Sequence, residues 1–73
     1  METRHLARLQ FEPGGRVVEG EWAVPGTARD RYREWLGLYG TVPTVLIQFI
    51  EVTDGREHVR RRWTVEGEVE DPV

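Results

Sequence analysis

The chain of 73 residues has no cysteine, lysine, serine or asparagine, and each absence closes off some chemistry. Without cysteine there is no disulfide, no thiolate nucleophile and no sulfur-ligated zinc, so a disulfide-stapled secreted scaffold is excluded and a reducing, cytoplasmic setting is expected. With serine missing as well, the commonest activated nucleophiles are gone. The only histidines, His5 and His58, are too far apart in sequence to form a helical zinc pair, and no glycine-rich phosphate loop of known spacing occurs. No cofactor, no metal and no enzymatic activity are therefore expected. There is no long apolar run, and the opening METRHLAR lacks the apolar core of a signal peptide, so a soluble protein without a membrane partner is expected.

A chain this short forms one small domain, 1–73, and burial removes only about 60% of the surface that the unfolded chain exposes, which leaves little room for a buried active site. The formal charge of −3 argues against a generally basic nucleic-acid-binding domain, although a local basic stripe is compatible with it. Every cationic side chain other than histidine is arginine, a composition in keeping with a GC-rich bacterial genome.

What is present is a strong hairpin signal. In Thr44 to Val65, TVLIQFIEVTDGREHVRRRWTV, β-branched and aromatic residues run up to Asp54-Gly55 from both sides, and such a pair supplies the positive-φ positions of a two-residue type I′ turn. With Thr53 opposite Arg56, the ladder places Glu51 opposite His58, Ile50 opposite Val59, Phe49 opposite Arg60, Gln48 opposite Arg61, Ile47 opposite Arg62 and Leu46 opposite Trp63. Strict alternation then gives one face Leu46, Ile50, Val52, Val59 and Trp63, and the other Val45, Ile47 and Phe49 among Glu51, His58, Arg60 and Arg62.

Upstream, His5 to Phe11 alternates with His5, Ala7, Leu9 and Phe11 in phase. After Pro13-Gly14-Gly15 a second strand runs from Arg16 to Val24, where Gly20 suggests an aromatic ring lying across the gap it leaves. Pro25-Gly26 ends that strand. Thr27 is placed to cap a helix reaching Tyr39, with Ala28, Tyr32, Trp35, Leu36 and Tyr39 on one arc and Gly40 as a left-handed stop. The expected fold is thus α+β, a two-layer ββαββ domain with a four-stranded antiparallel sheet in the order 2-1-3-4 or 1-2-4-3 and one helix across one face. The ordered core is expected over residues 5–66, with the acidic tail 67–73 fraying.

The helix is expected to lie over Leu46, Ile50, Val59 and Trp63 with Leu9, Phe11 and Trp22. That would leave Val45, Ile47 and Phe49 open, more apolar surface than a small monomer normally exposes. The expected function is a protein-interaction module, most simply a homodimer, acting through Val45, Ile47, Phe49, Glu51, His58, Arg60 and Arg62. The alternative is a single-stranded nucleic-acid-binding surface in which Arg60 and Arg62 meet phosphates and Phe49 stacks on a base. A third reading, a small enzyme using Glu51 and His58 as an acid-base pair, competes with a plain solvated cross-strand pair.

Overall fold

Asp54 at φ 51° and Gly55 at φ 79° form the positive-φ turn that the sequence predicts, and a ladder of seven residue pairs is built on either side of it. The computed structural model describes residues 2–70, with strands β1 (Thr3–Gln10), β2 (Val17–Trp22), β3 (Leu46–Thr53), β4 (Arg56–Thr64) and β5 (Gly67–Glu70), and one helix, α1 (Pro25–Tyr39). The antiparallel sheet runs β2-β1-β3-β4-β5, and α1 packs on β1, β2 and β3 from one side. The α+β class and the 2-1-3-4 order hold, but the strands number five rather than four. The extra strand lies in the expected frayed tail. Gly67–Glu70 pairs with Arg61–Thr64, and Glu68 accepts a hydrogen bond from Tyr32 at 2.9 Å, so long-range partners order a segment that has little apolar content of its own. The rest of that tail, 71–73, lies outside the described residues.

Near the turn the ladder follows expectation, with Thr53 opposite Arg56, Glu51 opposite His58 and Ile50 opposite Val59. Beyond Ile50 it slips: Phe49 faces Arg61, Gln48 faces Arg62 and Ile47 faces Trp63. Arg60 is the additional residue, a β-bulge that turns the remainder of β4 over by one position. Trp63 thereby joins the face of Val45, Ile47 and Phe49 instead of that of Leu46, and the helix lies on this face. The core comprises Ala7, Leu9, Ala28, Tyr32, Trp35, Val45, Ile47 and Phe49, with Trp22, Leu36, Tyr39, Val42 and Trp63 against it. The expected covered face is therefore corrected for β3. Val45, Ile47 and Phe49 are buried beneath α1, while Leu46, Ile50 and Val59 are on the opposite side. Burying a side chain of the size of Ile47 contributes roughly 1.5–3 kcal/mol.

The helix forms for the reasons its sequence suggests, since Ala28, Tyr32 and Trp35 are all buried along one arc. It starts earlier than expected. Pro25 occupies the first turn, where its missing N–H costs nothing, Val24 is the N-cap residue, and no side chain caps the first turn. Gly40 ends α1 in a right-handed conformation, φ −62°, not the left-handed one expected. Glycine is required there by proximity: a Cβ would meet the Leu36 carbonyl oxygen and come within 3.0 Å of Trp63 Nε1, which donates a hydrogen bond to the Gly40 carbonyl at 2.8 Å. The other glycine explained by an aromatic is Gly20, over which the ring of Trp22 lies within its own strand.

Trp63 is thus both a core side chain and a tie between β4 and the end of α1. Trp63→Ala is expected to lower stability by about 3 kcal/mol, the low end for a large aromatic because the ring is only partly buried. Gly40→Ala is expected to cost about 1–3 kcal/mol, since the obstructing Leu36 oxygen is backbone and has little room to move. Urea denaturation measures both, and an unchanged midpoint for Trp63→Ala would show that the ring is not part of the core.

Candidate functional site

The bulge at Arg60 decides which candidate residues meet. Val45, Ile47 and Phe49 are under the helix and form no open surface. Glu51 and Arg60 remain together on the helix side, where Arg60 Nη2 donates to Glu51 Oε1 at 3.1 Å. His58 stands opposite Glu51 in the ladder, as expected, and is exposed. Arg62 faces the other way, opposite Gln48 on β3 and Val69 on β5. The seven residues therefore share no single face, and Phe49 with Arg60 and Arg62 makes no stacking platform.

Two surfaces take their place. The first is a cleft beside the start of α1, lined by His5, Pro25, Arg29, Phe49, Glu51, Arg60, Arg61 and Glu70. β1 brings His5 to it in phase with Ala7 and Leu9, so the side chain is only 8% exposed, and its Nδ1 has no hydrogen-bond partner among the described residues. The imidazole lies nearly parallel to the Phe49 ring, 6.3 Å between centroids, and the Arg29 guanidinium lies 6.0 Å from the same ring. Arg61 reaches Glu68 at 3.7 Å and Glu70 at 3.6 Å, long ion pairs that hold it loosely. The phase of His5 with the apolar set was the available sequence signal. Without the bulge, nothing in the sequence brings Arg60 and Arg61 to one side.

The second surface is the face of the sheet that carries no helix. On it Leu6 and Ile50 are nevertheless 5% and 0% exposed. The side chain spanning them is Arg8, whose Nε bonds Glu19 on β2 at 2.6 Å while Nη2 bonds Glu57 on β4 at 2.9 Å. The hydrogen bond to Glu57 raises the Arg8 pKa further, against the opposing effect of burial, with Glu19 adding to it. The stem covers apolar surface as its head crosses the sheet. Toward β5 the cover ends, and Gln48, Glu57, His58, Val59, Arg62, Val69 and Glu70 line a shallow groove. Among the described residues no group of three metal-ligating side chains comes together, and no helix is long and apolar enough to cross a membrane.

Tyr32 joins the two layers near the cleft. Its buried hydroxyl donates to Glu68, and its pKa is pushed well above the ordinary value, first by burial and then by the bond and charge of Glu68. Because the folded protein favours the protonated phenol, this contribution is fully present below the unfolded tyrosine pKa of about 10 and is lost as pH rises from there toward the higher folded value. The wild type is expected to lose stability steadily above about pH 10. Tyr32→Phe should flatten that decline and cost about 1 kcal/mol at neutral pH, read from denaturation at a series of pH values. Equal alkaline slopes in the two proteins would count against it. Comparison with protein-family models, curated proteins and solved structures finds no match to this chain.

Proposed function

We propose that the protein is a small interaction module that self-associates through the helix-free face of its sheet, using the half formed by β3, β4 and β5. The observation that carries this reading is the uneven cover of that face. Arg8 and its carboxylate partners close the half near β1, whereas around the groove Val69 is 55% exposed, and Leu46, Val52 and Val59 are only partly buried. A single helix covers only one side of a five-stranded sheet, and a second copy is the simplest second layer.

Charge complementarity favours a copy of the same chain. Along β4 the groove sets Glu57, which also holds Arg8, and Arg62, which faces Val69, on opposite sides of Val59, so rotation about a two-fold axis near Val59 brings unlike charges toward each other beside the apolar side chains. Arg62 has no ion pair with a described residue and is available for that role.

Sedimentation velocity tests the proposal. The wild type is expected to be dimeric and only weakly salt-dependent. Val69→Glu, a change at an exposed edge position that should leave the far-ultraviolet dichroism unchanged, is expected to weaken association by at least about tenfold, because it puts a charge into an apolar contact. A wild type that stays monomeric over the accessible concentration range would defeat the reading.

A further inference from the structure

The cleft at the start of α1 is on the other side of the sheet from this groove, and its chemistry is different. Its three guanidinium groups come from two places in the chain, Arg29 on the helix and Arg60 and Arg61 at the bulge, against the two carboxylates of Glu51 and Glu70. Its described lining carries three formal positive charges and two negative, with Glu68 3.7 Å from Arg61 just outside it. Arg60 is engaged with Glu51 at 3.1 Å. Arg29 makes no ion pair with a described residue, and Arg61 has only long ones.

Two independent features point the same way. The first turn of α1 borders the cleft at Pro25, which has no N–H, and has neither a capping side chain nor an acidic residue, so the N–H groups of Gly26, Thr27 and Ala28 next to the cleft and the positive end of the helix dipole have no side-chain acceptor. His5, more than nine-tenths buried in the cleft wall, has one ring nitrogen without a partner, and a buried polar atom of that kind is uncommon in a folded protein. Phe49, stacked by His5 and approached by Arg29, forms an apolar floor. The volume is about 260 Å³, below the range of drug-sized ligand pockets.

We infer that this cleft binds a small organic molecule through an oxyanion, a carboxylate or a phosphate, held by Arg29 and Arg61 and by the N–H groups of the first helical turn, with the body of the molecule against Phe49. The planar guanidinium fork is suited to either oxyanion, and the helix start adds directed donors. The inference does not rest on self-association, because Arg29, Arg61 and Phe49 lie on the opposite face of the sheet and only Glu70 borders both surfaces.

The test is an NMR titration of the whole protein with inorganic phosphate and, separately, with succinate, using sodium chloride at matched ionic strength as control. Saturable shifts confined to Gly26, Thr27, Ala28, His5 and the Arg29 and Arg61 side chains are expected with at least one of the two anions. Response to phosphate alone identifies a phosphate ligand, and response to succinate alone a carboxylate. Arg61→Gln should weaken binding roughly tenfold, as loss of a charge-assisted hydrogen bond does. Since Arg61 also contacts β5, Arg29→Gln, at an exposed position, provides the second variant, with a comparable loss and no change in fold. Arg16→Gln, in the distant loop between β1 and β2, should bind as the wild type does. Shifts that sodium chloride reproduces, that spread equally to Arg16, or that survive both Arg29→Gln and Arg61→Gln would overturn the inference.

Discussion

The structure depends on one extra residue in one ladder. Arg60 has no residue opposite it in the β3 register, although its side chain bonds Glu51 on that strand, and because side chains alternate with a period of two, that single insertion moves everything after it on β4 to the other side of the sheet. Trp63 then stands beside Ile47 beneath the helix and its indole N–H reaches the Gly40 carbonyl, closing the end of α1 onto the sheet. Arg61 is carried to the same side, where it meets Glu68 and Glu70. A strictly alternating β4 would place the indole on the face without a helix and leave a gap in the core.

Much of this was legible in the sequence, and the reasons are local. Asp54-Gly55 fixes its turn because few other pairs accept two positive-φ positions, and the register is right as far as Ile50 and Val59. The helical arc from Ala28 to Tyr39 carries its own period. The bulge was hidden because Arg60, Arg61 and Arg62 stand consecutively between Val59 and Trp63: three identical side chains carry no alternation, so no pattern marks where the strand slips. The candidate surface failed for the same reason, since the face assigned to Val45, Ile47 and Phe49 was read from an unbroken ladder. β5 was hidden differently. EGEVE has a single apolar residue, and what holds it is a tyrosine thirty-six positions upstream and an arginine on the neighbouring strand. Contacts at that separation leave no trace in a short window of sequence.

The helix-free face shows a second way of managing a sheet in a chain this small. Instead of another layer of apolar side chains, Arg8 lies across Leu6 and Ile50 with a carboxylate at either side. An exposed ion pair adds little stability in itself, but an arginine anchored at both ends covers area that a free one would leave open. Half of the face is finished in this way and half is not, and that asymmetry is what the proposed self-association rests on.

β5 is a wall of both surfaces. Glu70 borders the cleft and the groove alike, and Val69 lies in the groove. A strand of four residues, mostly exposed and joined to a single neighbour, is among the parts of such a protein that open most readily. An occupant on one side that holds β5 closed would make less ordering necessary for an occupant on the other, and thermodynamic linkage requires the help to be mutual. With both surfaces occupied as proposed, the two faces of this sheet would communicate through the entropy of one short strand, without any movement of the helix or the core.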